Sequence, residues 1–292
     1  MNEAERTAWI SLPIVILVAL GVALAGSQGS ESIFGVPMFG LAVAVIFAIQ
    51  WVVFVAAYLM KSEKFFDLTG SLTYIAVIIA AVLLSENMDS RSIMLMILVV
   101  VWAGRLGSFL FRRVMKAGED ARFDELKVSF PRFLMTWTLQ GLWVTMTLAA
   151  ALAAVTTSHE QPLGIFAITG LVVWLVGFIF EVVADGQKSR FKANPENEGK
   201  FINSGLWAWS RHPNYFGEIV LWLGVAIVAI PVLQGWQWVT MISPVFVALL
   251  LTRISGIPIL QKRGDEKWGG QADYEAYKAN TPVLIPKPPK RG

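Results

Sequence analysis

Ser210-Arg211-His212-Pro213-Asn214-Tyr215-Phe216-Gly217-Glu218 runs without a break into the apolar segment Ile219–Val232. Arg, His, Asn and Glu are crowded into nine residues at the very start of a stretch long enough to enter a bilayer. Polar groups are costly there and persist mainly where they face a cavity or one another. This junction therefore reads as the mouth of a membrane-spanning helix at which chemistry is approached.

The rest of the chain fits that frame. Of 292 residues, 55% are hydrophobic and 15% charged, against about 25% charged in an average soluble domain. A hydrocarbon core of about 30 Å is crossed by roughly 20 helical residues. Candidate spans fall at Trp9–Ala25, Pro37–Met60, Leu68–Leu84, Ile93–Phe111, Phe133–Val155, Leu163–Ala184, Pro213–Leu233 and Trp236–Ile257. The last two, joined by a short turn at Gln234-Gly235, read as a helical hairpin. Trp9, Tyr58, Trp207, Trp209, Trp236 and Trp238 stand near span ends, as interfacial anchors do. The expectation is an all-α fold, a polytopic helical membrane bundle.

Basic residues set its orientation. The N-terminus, Lys61–Lys64, Arg112–Arg132, Lys188–Arg211 and the C-terminal stretch Arg253–Arg291 hold all but two of the 24 Lys and Arg residues. The intervening connections hold only Arg91, and Arg105 lies inside a span. By the positive-inside rule both termini and the basic loops face the cytoplasm. Val22-Ala23-Leu24-Ala25-Gly26 resembles a signal-peptidase site. The leader, however, carries Glu3 and Glu5 against Arg6, where signal peptides begin positively charged. Eight spans are expected, or seven with the same orientation if that segment is removed.

Three polar clusters fall at cytoplasmic ends of spans. Trp102, Arg105, Phe109 and Arg112 are spaced to share one helix face. Arg105 either snorkels to the headgroups or holds an anion in a cytoplasm-facing cavity. Glu181, Asp185, Lys188 and Lys192 form a second stripe. Its carboxylates oppose the helix macrodipole; they either pair with the lysines or accept hydrogen bonds from a cofactor's ribose or amide. In the third cluster Pro213 suits the first position of a helix, whose free N–H groups make an anion site. Arg211 adds a bidentate phosphate donor, and His212 is either a second donor or a cap. Gly199, Asn203 and Gly205 permit close backbone approach in the preceding loop. The tail Gln261–Gly292 is soluble in character, carrying Trp268, Tyr274 and Tyr277 and a Pro-rich basic end. It either covers the helices from the cytoplasmic side or rests on anionic headgroups.

Other chemistries are disfavoured. With no cysteine and only His159 and His212, a metal site is not expected. No P-loop, Rossmann fingerprint or H-E-x-x-H is present. The absence of an internal repeat weakens a carrier built from duplicated halves.

The segment Glu181–Glu218, together with Trp268-Gly269-Gly270, Asp273-Tyr274-Glu275-Ala276-Tyr277 and Leu284-Ile285-Pro286, resembles the steroid 5-alpha-reductase family. The resemblance is closest to its bacterial branch, long catalogued as a domain of unknown function, which also carries a stretch like Lys64-Phe65-Phe66-Asp67-Leu68-Thr69-Gly70-Ser71. It covers most of the chain from about Lys64. It implies transmembrane helices over residues 1–60, a catalytic domain over 61–292 with a cytoplasmic tail from 258, and location in a bacterial inner membrane. It also implies NADPH-dependent reduction of a carbon–carbon double bond conjugated to a ketone, in a steroid-like or other lipid, with membrane lipids as partners and no nucleic acid.

Residue by residue, the family's cofactor positions fall on Glu181, Asp185, Lys192, Asn214 and Glu218, with Arg105 and the Lys200–Gly205 loop, including Asn203, contributing. Glu181 stands where the family has Asn, and Lys192 where it has Arg. Arg112, Arg211, His212 and Tyr215 complete the expected cofactor set. The family's catalytic tyrosine falls on Trp102, which has no acidic hydroxyl. Its catalytic carboxylate falls near Asp67, with Glu63 as alternative, and Tyr74 is a substitute for the missing hydroxyl.

The Arg-His-Pro-x-Tyr-x-Gly-Glu pattern and the tail also resemble the isoprenylcysteine carboxyl methyltransferases, which bind S-adenosylmethionine. A membrane methyltransferase acting on a lipid or lipidated carboxylate is therefore the first alternative, and a transporter or scaffold the second. The density of cytoplasmic Arg and Lys favours the polyanion NADPH.

Overall fold

The computed structural model describes residues 1–86, 88–117 and 123–289. Arg122 of the basic Arg112–Arg132 loop and Lys290 and Arg291 of the tail lie outside the described residues. Among the described residues, eight helical segments are long and apolar enough to cross a membrane. The protein is an all-α polytopic membrane protein, and the chain divides into two compact units, Met1–Ala167 with Ala226–Ser243, and Ile168–Val225 with Pro244–Gly292.

The first unit begins with α1 (Glu3–Ser27), started by a capping box in which Asn2 and Glu5 exchange side-chain and backbone bonds at 2.9 and 3.2 Å. A two-residue turn at Phe34 and Gly35, both with positive φ, folds strands β1 (Ser32–Ile33) and β2 (Val36–Pro37) into a short antiparallel hairpin. Then follow α2 (Met38–Leu59), α3 (Phe66–Leu84), α4 (Ser90–Ala117) and α5 (Phe130–Val155).

Helix α5 is the centre of this unit, packed by α1, α2 and α3. Every residue from Val144 to Val155 is buried, and the run Ala149–Ala151 lets neighbouring backbones come close. Its N-terminal half meets Phe54, Ala57 and Phe123 through Phe133 and Trp137. A bilayer offers no water to buried polar groups, so they pair internally. Gln50 donates to Thr73 at 2.9 Å, Trp51 to Thr138 at 3.1 Å and Gln140 to the Phe66 carbonyl at 3.0 Å. The outward faces stay apolar: Ile14, Leu17, Leu24 and Val52 are exposed, as a lipid-facing surface requires.

Arg91, the one cation in the connections expected to face away from the cytoplasm, is no loop charge. It is 1% exposed. Its guanidinium donates to the carbonyls of Val228 at 2.6 Å, Pro162 at 3.0 Å and Gln161 at 3.3 Å. Val228 lies in the last turn of α7 (Pro213–Ala229), where carbonyls lack helical partners. The charge caps a helix and never meets the orientation rule.

The second unit is built on a close crossing of α6 (Ile165–Ala193) with α7. A Cβ on Gly217 would lie 2.6 Å from the Gly177 carbonyl and the Glu181 nitrogen. One on Gly224 would lie 2.6 Å from the Gly170 carbonyl and the Trp174 nitrogen. Glycines seven apart on each helix thus let the two backbones touch, a small-residue interface typical of membranes.

The last span is not one helix. A 3-10 stretch (Gly235–Met241) leads into α8 (Ile242–Leu249), then a π turn (Leu250–Ile254), with a break at Gly256 before α9 (Ile257–Trp268). A Cβ on Gly256 would meet the Leu251 carbonyl and, at 2.9 Å, the Tyr215 ring, so only glycine fits this bend. Helix α10 (Ala272–Asn280) follows, and the soluble-looking tail is therefore largely helical.

Candidate functional site

The last turns of α6, the loop leading to α7, and α9–α10 enclose a cavity of about 350 Å³. That volume lies within the range of roughly 300–1,000 Å³ usual for ligand pockets. Lys188 and Lys192 come from α6, Lys200 and Arg211 from the loop, Arg263 and Lys267 from α9 and Lys278 from α10. Seven cations thus line it with no carboxylate among the described residues. Phe201, Trp207, Trp268, Tyr274 and Tyr277 form an aromatic wall. Phe201 sits 5.1 Å from the Tyr274 ring and 5.4 Å from that of Tyr277.

The loop is held by bonds to its neighbours. Trp268 donates its indole N–H to the Gly199 carbonyl at 2.5 Å, and Tyr277 its hydroxyl to Trp207 at 2.7 Å. Burial pushes the Tyr277 phenol well above the usual tyrosine value, so it remains a hydroxyl donor. Gln187 of α6 accepts from the Leu206 N–H at 2.9 Å. Trp207, expected at the interface, is buried instead: its indole donates to the Ala184 carbonyl at 3.0 Å and Lys188 lies 4.5 Å over its ring. Of the cations, Lys278 is engaged by Asp265 at 2.8 Å and Glu275 at 3.1 Å.

Two residues that line this cavity carry a buried side-chain nitrogen without a hydrogen-bond partner among the described residues. Arg211 Nε and His212 Nδ1 are both buried without a hydrogen-bond partner. His212 is 7% exposed and stacks on Tyr215 at 5.7 Å. Burial, then Lys188 and Arg211, push its imidazole down to about 3, so it is neutral at physiological pH. A phosphate in the cavity would offset the neighbouring positive charge and offer acceptors to Arg211 and to a His212 N–H.

Pro213 is the first residue of α7, as its ring predicts. Asp185 (7% exposed) accepts from Asn214 at 3.2 Å, pinning α6 to the first turn of α7. Glu181 (2% exposed) and Glu218 (8%) lie one turn further into their spans. These buried polar groups and Tyr215 are not among the residues lining the cavity; Lys192, Arg211 and His212 are. Asn203 is exposed and also outside the lining.

The remaining expected residues belong to the first unit. Asp67, in the first turn of α3, pairs with Arg113 at 3.5 Å. Tyr74 and Trp102 are buried against each other, edge to face, with ring centroids 5.2 Å apart. Glu63, 4% exposed, is held by Lys127 at 3.2 Å. Arg105 lies 5.8 Å over the Phe109 ring, and Arg112, exposed, donates Nε to the Ser108 carbonyl at 3.1 Å.

Sequence reading offered the tail as a cover for the helices and named Trp268, Tyr274 and Tyr277, but it did not name Arg263, Lys267 or Lys278 as site residues. Arg263 and Lys267, four apart, and Tyr274 and Tyr277, three apart, do present one face each. Nothing in the sequence said which loop those faces would meet.

Residues 53–281 match the family model described as "Protein of unknown function (DUF1295)". The chain belongs to the DUF1295 family. This DUF1295 protein is 25% identical to an uncharacterised protein of Schizosaccharomyces pombe, over 48% of this chain and 49% of the relative. It is 28% identical to 3-oxo-5-alpha-steroid 4-dehydrogenase 1 of Rattus norvegicus over 41% of this chain and 40% of that one. It is 34% identical to the probable O-methyltransferase ustE of Ustilaginoidea virens, over 23% of this chain and 24% of the relative. Each similarity spans about half the relative's length or less. No solved structure matches the DUF1295 chain significantly.

Proposed function

We propose that this protein is a membrane-embedded, NADPH-dependent reductase of a carbon–carbon double bond conjugated to a ketone. Its substrate is a steroid-like or other lipid, and its location a bacterial inner membrane with both termini in the cytoplasm. The observation that carries this reading is the charge of the cavity: seven cations and no carboxylate among the described lining residues, two of which, Arg211 and His212, carry a buried nitrogen without a hydrogen-bond partner. NADPH brings several phosphate charges that such a wall attracts. S-adenosylmethionine brings a sulfonium cation that Lys188, Lys192 and Arg211 repel.

In this reading Arg211, His212, Lys200 and Arg263 hold the phosphates, the guanidinium groups in bidentate fashion. The aromatic wall offers stacking faces to a base. Asn214 and Glu218 in the first turns of α7, with Asp185 of α6 bonded to Asn214, orient the amide and ribose hydroxyls. NADPH, when bound, supplies the hydride. Asp67, Tyr74 and Trp102 are assigned to the lipid substrate, with the Tyr74 hydroxyl the acidic group for the ketone oxygen. The similarity to steroid dehydrogenases supports this assignment; the shared Arg-His-Pro-x-Tyr-x-Gly-Glu pattern and the similarity to ustE support methyl transfer as the competing one.

Thermal unfolding of the detergent-purified protein with NADPH, NADH or S-adenosylmethionine tests the choice. A ligand at 100 times its Kd stabilises the folded state by about 2.7 kcal/mol. Stabilisation by NADPH and not by S-adenosylmethionine is expected. The reverse would replace reduction by methyl transfer, and indifference to all three would leave a transporter or scaffold.

A further inference from the structure

The C-terminal segment after α10 is bonded through its backbone to the loop that carries Arg211 and His212. Arg211 N–H donates to the Pro282 carbonyl at 2.9 Å, and Lys287 N–H to that of Trp209 at 2.9 Å. Burial alternates along it: Pro282, Leu284 and Pro286 are half-buried and Val283, Ile285 and Lys287 exposed. Between these two backbone bonds stands Ser210, which is fully buried. Its hydroxyl donates to the Leu284 carbonyl at 2.8 Å and accepts from the His212 N–H at 3.1 Å.

One hydroxyl thus ties the strap to the backbone immediately before α7, and on either side of it stand bonds from residues 209 and 211. The side chains that this backbone carries, Arg211 and His212, are the two with buried, unpartnered nitrogens at the cavity. Without the strap, the Arg211 N–H and the Ser210 hydroxyl lose their acceptors, and the loop keeps only its local bonds, from the Trp209 and Ser210 N–H groups to the Leu206 carbonyl and from the His212 N–H to Ser210. Proline suits the strap ends because its fixed φ lowers the entropy lost when the segment docks, and at 282 and 286 no N–H is needed for the bonds described.

We propose that Ser210 and the strap 282–287 are positioning elements for the anion-binding pair Arg211 and His212, so that affinity for a phosphate-bearing cofactor is coupled to docking of the C-terminal segment. The coupling is reciprocal: what the strap adds to cofactor affinity, the cofactor adds to strap docking. This rests on the NADPH reading above, and it goes beyond it by assigning roles to residues outside the ligand's reach.

The test uses the full chain in detergent, with NADPH binding read by quenching of tryptophan emission and strap docking by amide hydrogen exchange. Ser210→Ala is expected to raise the NADPH Kd about tenfold, since it leaves one donor and one acceptor of the loop and strap unsatisfied. Ser210→Thr, which restores the hydroxyl, should recover most of that loss. Lys287→Pro removes the backbone donor together with the side-chain charge at an exposed position and should raise Kd about fivefold. Lys287→Ala, which loses the charge and keeps the N–H, should stay within about twofold. Saturating NADPH should slow exchange of the Arg211 and Lys287 amides in the wild type, and less so in Ser210→Ala. Wild-type affinity in both Ser210→Ala and Lys287→Pro, or exchange at these amides unmoved by bound NADPH, overturns the inference. A wild type that fails to bind NADPH overturns the reductase reading instead, and strap exchange in the unliganded variants still reports whether Ser210 holds the strap.

Discussion

Replacing Gly177 by Ala asks whether the α6–α7 crossing depends on backbone contact. A Cβ there would lie 2.6 Å from the Gly217 carbonyl oxygen and 2.9 Å from Leu221 Cα. Carbon contacts are comfortable near 3.5–4.0 Å, so the helices must part by roughly 1 Å. The obstructing atoms are backbone and cannot rotate away. Overpacking of this kind costs about 1–3 kcal/mol, and the better helix propensity of Ala returns up to about 1. A net loss of about 1–2 kcal/mol should lower Tm by roughly 3–8 °C. Gly186 lies on the same helix, and a Cβ there meets nothing within 4 Å. Gly186→Ala should therefore hold or raise Tm. Thermal unfolding of both variants in the same detergent gives the comparison. NADPH titration adds a second readout, since a shift at Gly217 displaces Asn214 and Glu218 in the same helix. Gly177→Ala as stable as wild type, or Gly186→Ala destabilised as much, would refute the argument from backbone contact.

Other consequences can be measured in parallel. His212 is neutral in the folded protein down to pH near 3, whereas in the unfolded chain it protonates near 6.5. The unfolded state therefore binds the extra proton between those values, and stability present above pH 6.5 is lost as pH falls. At pH 5 the loss is about 2 kcal/mol, and it should vanish in His212→Gln; identical pH profiles would exclude a buried neutral imidazole. Arg211→Ala should weaken NADPH about 10- to 100-fold, as loss of a charge-assisted bond does, and isothermal titration at two salt concentrations should show a shallower salt dependence. Arg91→Met leaves the carbonyls of Val228, Pro162 and Gln161 without that donor and should cost at least about 3 kcal/mol, seen as a lower unfolding midpoint.

How much of this was legible in advance differs by element. All eight spans were read because apolar length is a local property, four of them close at both ends. The first, fourth, sixth and last helical segments run about five to eleven residues further at one end, where polar residues continue the helix beyond the apolar stretch. The polar stripe Glu181–Lys192 and the helix start at Pro213 were equally legible, since helical spacing and a proline's missing N–H need no partner. Arg91 looked like a loop charge because a sequence cannot show that a guanidinium turns inward to cap another helix. Trp207 looked like an anchor for the same reason: its position near a span end is local, its bond to the Ala184 carbonyl is not.

The sequence by itself therefore determined the class of the protein, its membrane spans and the charge of the segments that join them, all set by free energies of transfer and by periodicity within single helices. Only the tertiary structure decided which of those charges share a cavity. Arg211 and Arg263 stand far apart in sequence, and so do Ser210 and Leu284, and they meet because α9, α10 and the strap fold back on one loop. Such meetings depend on packing and backbone pairing between distant segments, which no local pattern encodes.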